Sequence, residues 1–313
     1  MDTFYLDRVV RVFKNTATEW SEDKAPTLGA AIAYYTVFSL APLILLLVSI
    51  FGLFMHNNQD IKAKLENQVS QISGPSAGDV TKQIVESTSK QKKTGVIGTV
   101  VAVVVALFGA SGVFGQLQEA LNTIWGVKAK PGQGIMGYVK SRFISFGMVG
   151  GVCFMLLVSL SISTLIEGFS GKLNQWLPGG AAISTLISVV LNLVIITVLF
   201  AMIFKYLPDA KVAWNDTWVG AGLTTILFIV GKWGLGKYLA SGSVSSAYGA
   251  AGALISLLVW VYYSAQILLF GAEFTQVYAN EFGSHIEPEE HAIRVQKKEV
   301  EIPNENAGSG EKK

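Results

Sequence analysis

Residues 249–272 carry no charged side chain. About 20 apolar residues are enough for a helix to cross a bilayer, so this stretch constrains the fold more than any other. The hydrophobic pattern runs on past Glu273 to Val277. At 1.5 Å per residue Glu273 lies about 37 Å from Tyr248, beyond a hydrocarbon core of about 30 Å. Its carboxylate is therefore expected at the far interface, or in a protein-lined cavity there. On a helical wheel Tyr262, Gln266 and Glu273 fall within about 40° of one another. A polar stripe of this kind has no reason to face lipid, which leaves protein or water.

The rest of the chain repeats the pattern. Charged residues are 15% of the 313 and mean hydropathy is +0.45, whereas a soluble domain carries about 25% charged residues. Apolar runs at 28–54, 95–115, 143–166, 181–204, 214–235 and 249–272 predict an all-α polytopic membrane protein with six transmembrane helices. Cys153 stands alone in such a run, so disulfides play no part. Residues 1–27 hold no signal-like apolar core. Over 4–20 they form an amphipathic helix, with Tyr5, Val9, Val12, Phe13 and Trp20 on one arc and Arg8, Arg11 and Lys14 opposite. That pattern suits a helix lying in the membrane interface.

Four spans carry features of their own. Pro42 interrupts span one, and because proline removes a backbone donor, a kink or break is expected near residues 38–41. Tyr34 and Tyr35 stand just before it, as packing groups or as a cavity wall. The loop 56–94 reads as two short amphipathic helices, separated at Gly74-Pro75, that form a cap on the membrane surface. Gly147 and Gly151 in span three have close-packing spacing, and such Gly-rich faces offer a surface for oligomers. Span four holds one amide, Asn192, expected to bond a neighbouring helix. Lys232 in span five falls in the outer half of the membrane, where it either snorkels outwards or pairs with Glu167. The tail 281–313 is polar and charged and is expected to be disordered.

Basic residues set the orientation. Arg8, Arg11, Lys14, Lys128, Lys130, Arg142, Lys205, Lys211 and Arg294 gather on one side, which places both termini in the cytoplasm. Arg142 and Lys205 then reach the depth of Glu273. Either cation could bond it, clamping the inner helix ends together.

Several segments resemble, in order and at fitting distances, the YihY/BrkB family of bacterial inner-membrane proteins. They are Ala33-Tyr34-Tyr35 with Ser39-Leu40-Ala41-Pro42, Ala120-Leu121-Asn122 with Ile124-Trp125, and Tyr206-Leu207-Pro208 with Trp214 and Gly220-Ala221. Tyr238, Tyr248-Gly249, Trp260, Tyr262-Tyr263 and Gly271-Ala272-Glu273 complete the set. The resemblance implies a six-helix membrane protein of the inner membrane. Labels attached to that family include a virulence or serum-resistance factor and a tRNA-processing ribonuclease, and transport has been suspected.

The residues do not favour the ribonuclease. Such an enzyme needs a metal cluster or an acid/base pair beside a polar groove. His56, His285 and His291 make no metal motif, and the carboxylate inside the spans is essentially Glu273 alone. No catalytic residue, metal, cofactor or nucleic-acid partner is expected; the lipid bilayer is. A transport-like role for a small molecule, ion or lipid is the leading expectation, and a non-transporting envelope-maintenance scaffold is the alternative. A watery cavity lined by Tyr34, Tyr35, Gln266 and Glu273 would favour transport, and a dry core the scaffold.

Overall fold

A computed structural model of the chain describes residues 3–54, 111–131, 180–241, 248 and 251–295, together with scattered positions between 63 and 86 and between 147 and 158. Helices dominate. They are α1 (Thr3–Glu22), α2 (Ala25–Phe54), α3 (111–124), α4 (Gly180–Tyr206), α5 (Trp214–Ala240) and α6 (Gly252–Glu281). Within them Thr185–Tyr206, Trp214–Leu239 and Gly252–Glu281 are long and apolar enough to cross a membrane. Most of spans 95–115 and 143–166 and much of the loop 56–94 lie outside the described residues. Those of the loop that are described are helical, and Gly78 packs on Ser70.

Local chemistry sets the helix ends. α5 opens with Asp216 in its first turn and α4 closes with Lys205 in its last, each charge matched to the helix dipole. Gly126 follows α3 with φ +60°, a left-handed position that glycine takes without strain. Of the kink or break expected near Pro42, the break does not occur: α2 runs as a single helix through it. Proline removes one hydrogen bond of the ladder, and in an apolar setting breaking the helix outright would expose several more backbone groups.

A second correction concerns the tail. Residues 282–295 are ordered, where a disordered segment was expected from 281, and they add short strands to the all-α plan. The strands are β1 (Val127–Ala129), β2 (Ala210–Lys211), β3 (Glu287–Pro288) and β4 (Ala292–Arg294). β1 pairs antiparallel with β4, setting Val127 opposite Arg294 and Ala129 opposite Ala292. β2 pairs antiparallel with β3, setting Ala210 opposite Pro288. Ile286 and Ala292 are buried, so the segment contributes to the core as well as to the ribbons. Two- and three-residue strands have no periodicity to read, because their order comes from partners distant in sequence.

The core follows the helix bundle. Trp125 meets Phe204 edge-on, Phe204 lies against Phe200, Phe200 meets Phe228, and Phe228 meets Trp260, with centroids 5.8–6.4 Å apart. That row of rings ties the end of α3 to α4, α5 and α6. Offset and edge-to-face ring pairs of this kind add to the burial of their area.

Candidate functional site

α6 carries the polar stripe, and its neighbours decide what each member of the stripe meets. As numbers rise along α5 they fall along α6: Gly220 abuts Thr275, Thr224 abuts Gly271, and Gly231 abuts Tyr263 and Ile267. The two helices are antiparallel, and at each of these points the glycine backbone of one packs on a side chain of the other. A Cβ added at Gly220 would collide with the Thr275 hydroxyl, and one at Gly271 with the Thr224 hydroxyl. Each threonine turns that hydroxyl back to the carbonyl four residues earlier, Thr224 to Gly220 and Thr275 to Gly271, both at 2.7 Å. Both threonine hydroxyls at this crossing thus have a partner, as an apolar environment requires.

Glu273 sits between these two contacts, level with residues 220–224 of α5, and is 0% exposed. About two helical turns away, Gln266 faces α2. Its Nε2 donates to the Ala25 carbonyl at 3.4 Å, and Gly29 leaves no room for a side chain between the helices. Gln266 Oε1 is buried with no hydrogen-bond partner among the described residues. Tyr262 is exposed at the far end of the stripe.

The remaining candidates are dispersed. Tyr34 is exposed on α2, edge-on to Tyr35 and tilted against Phe38. Tyr35 packs against Gly112 of α3, and Ser39 is buried beside it. Asn192 donates to the Ser188 carbonyl of its own helix at 2.9 Å, and among the described residues no bond from it to a neighbouring helix is seen. The polar bond between α4 and α5 comes instead from Thr197 to Thr225, at 3.0 Å. Lys205 Nζ donates a hydrogen bond to the Val212 carbonyl and lies 5.7 Å from the Trp214 ring centre, so it is turned to the α4–α5 connection and not to Glu273. Lys232 is half-buried in the distal half of α5, beside Gly231. Gly151 packs on Met202 of α4. Arg142 and Glu167 lie outside the described residues, so the pairs drawn to them from Glu273 and Lys232 do too.

A second polar cluster stands at the same end of the bundle, and sequence reasoning missed it. Asp209, in the connection between α4 and α5, is buried. Its carboxylate accepts from Gln118 Nε2 at 3.1 Å and from Asn122 Nδ2 at 2.8 Å, both on α3. Its own N–H donates back to Asn122 Oδ1 at 2.8 Å. His291 Nε2 lies 3.0 Å from Asp209 Oδ1, and the Glu289 N–H donates to the Asp209 carbonyl at 3.0 Å. Nearby, Asp216 of α5 accepts from the Ser284 N–H at 3.3 Å and from its hydroxyl at 3.2 Å, while Gly283 lies against the carboxylate. Lys130 closes the rim, its Nζ bonding the Glu290 carbonyl at 2.6 Å.

The chemistry of the cluster is that of a clasp. Each polar group spends its hydrogen bonds on another part of the chain, and the result joins α3, the α4–α5 connection and the segment after α6. Among the described residues no three His, Cys, Asp or Glu side chains gather as a metal site. The signal was present in part. Asn122, Tyr206-Leu207-Pro208 and Trp214 stood out as motif residues, but nothing local links Asp209 to His291, 82 positions away.

Comparison with known proteins bears on the whole arrangement. A UPF0761 membrane protein of Alteromonas mediterranea is 28% identical over 310 residues, 94% of this chain and 99% of the relative. One from Actinobacillus pleuropneumoniae is 27% identical over 273 residues, 82% of this chain and 89% of the relative. One from Ralstonia nicotianae is 27% identical over 260 residues, 80% of this chain; the chain spans about half of that relative, 55% of its length. No solved structure matches. A family model described as virulence factor BrkB matches residues 16–296, a range that takes in both Glu273 and the Asp209 cluster. The chain belongs to the virulence factor BrkB family, whose relatives here are named as membrane proteins.

Proposed function

We propose that this chain is a six-span protein of the bacterial inner membrane, both termini cytoplasmic, that passes a small molecule, ion or lipid across the bilayer with no enzymatic step of its own. The observation that carries the reading is Glu273. A carboxylate with no exposed surface, on a helix long enough to span, is costly to keep and marks a pathway or a relay more often than plain packing. Gln266 extends the polar face from it towards the middle of the membrane, with a buried carbonyl oxygen still able to accept a bond.

One feature favours the second reading, an envelope-maintenance scaffold. The α5–α6 crossing is interlocked and the ends of the helices are clasped, which suits a body with one arrangement. In that case Glu273 serves to hold helices together.

Flux separates the two. The purified protein in liposomes is tested against a panel of ions, amino acids, organic anions and fluorescent phospholipids. Release or flipping above protein-free vesicles for one class supports transport. Rates equal to empty vesicles across the panel, with the protein inserted and folded, support the scaffold.

A further inference from the structure

We infer that α1 is a membrane-surface anchor, held against α6 and resting its uncovered apolar edge on lipid at the headgroup boundary, at the level of Trp214 and Trp218. The helix divides into three sectors. Val12 and Thr16 are buried, and Val12 meets Phe274 and Val277 of α6. Next around the wheel come Val9, Phe13 and Val10, which are 41%, 41% and 60% exposed, with the Phe13 ring tilted against Phe274 of α6 at 5.3 Å and Val9 and Val10 beyond it. Beyond them lie Lys14 and Arg11, the latter 4.0 Å from Glu281. α6 therefore covers only one edge of an apolar arc that is too wide for it. The uncovered edge borders the basic one, which is the arrangement of a helix set in an anionic leaflet.

An independent observation fixes the height. The outer face of α5 is exposed and apolar at Ile226 and Val230, and it ends in aromatic groups both ways. At one end Trp214 stacks on Trp218, 6.0 Å apart, beside Tyr206. At the other, Lys237 caps the Trp233 ring at 4.0 Å and Tyr238 is exposed. Trp214 and Lys237 are about 35 Å apart along the helix, and Trp218 and Trp233 about 22 Å, at 1.5 Å per residue. Those spacings bracket a hydrocarbon core of about 30 Å with its aromatic belts. Because α5 and α6 are antiparallel, Trp218 lies level with the part of α6 just beyond Thr275, where Val12 packs against Val277. The apolar edge of α1 and the tryptophans of α5, on separate elements, thus lie at one height. By the same level Glu273 lies just inside the boundary, and the Asp209 clasp lies outside it. This placement stands whether or not the protein transports anything.

The test uses the full chain in vesicles of phosphatidylethanolamine and phosphatidylglycerol. In a Cys153→Ser background, single spin labels are attached at Val10→Cys, Phe13→Cys, Lys14→Cys and Ile226→Cys, all at exposed positions. Collision with oxygen, which partitions into lipid, is compared with collision with a water-soluble nickel chelate. The labels at Val10 and Phe13 are expected to show an oxygen-to-nickel ratio several-fold above Lys14 and below Ile226. A ratio equal to that at Lys14 would put the edge in water and overturn the inference. Labels immobilised and shielded from both reagents would put protein there, a second copy included, and overturn it equally.

Discussion

Glu273 and Asp209 are both buried carboxylates near one end of the bundle, yet one is conspicuous in the sequence and the other is not. Glu273 interrupts an apolar run, so its cost is visible from composition alone. Asp209 sits among Pro208, Ala210 and Lys211, where an acidic residue looks like ordinary loop charge; only folding brings it Gln118, Asn122 and His291. Removing its carboxylate leaves those groups facing an empty site. Asp209→Ala should therefore cost about 3 kcal/mol, as expected for losing several hydrogen bonds to a buried charge. Arg11→Ala breaks a 4.0 Å pair whose arginine is largely exposed, and should cost less than about 1 kcal/mol. Thermal unfolding in detergent checks both. Equal effects would mean that the cluster is no tighter than a surface pair.

At the scale of elements, length and apolarity made the long helices readable, while contacts between them were not. Gly220, Gly271, Thr224 and Thr275 carry no signal individually, since their meaning lies in facing one another across α5 and α6. Gly271→Val would drive a branched side chain into Thr224, and should destabilise by at least the 1–3 kcal/mol, roughly, of an overpacked core. Gly271→Ala combined with Thr224→Gly should recover part of the loss, because the second change removes the colliding hydroxyl. Additive losses in the thermal melt would place the strain elsewhere. The tail was misjudged for a related reason: strands this short are specified by their partners. Truncation after Glu281 removes β3, β4 and His291 and should lower the melting temperature by several degrees and expose the β1 loop to protease. Truncation after Val295 keeps every one of those bonds. If the two forms melt and cut alike, the clasp contributes nothing.

For the whole molecule, the family and the helical membrane plan could be read from the sequence in order, since hydrophobicity and motif order need no tertiary information. How Tyr34, Tyr35, Gln266 and Glu273 turn relative to one another could not, because wheel positions on two helices do not say how those helices turn. In the fold Tyr34 faces outwards and Gln266 faces Ala25. With the proposed topology, reporter fusions after Trp125 and after Lys211 should read as cytoplasmic, and one near Gly74 as periplasmic; a cytoplasmic signal at Gly74 would reverse the chain in the membrane. The central claim, that the buried carboxylate of α6 serves passage across the bilayer, is tested most directly by Glu273→Gln in the liposome flux measurement, at matched reconstitution and with a melt equal to wild type. Flux reduced at least tenfold in a protein that folds and inserts normally is the expected result. Undiminished flux from that same folded variant would contradict the claim.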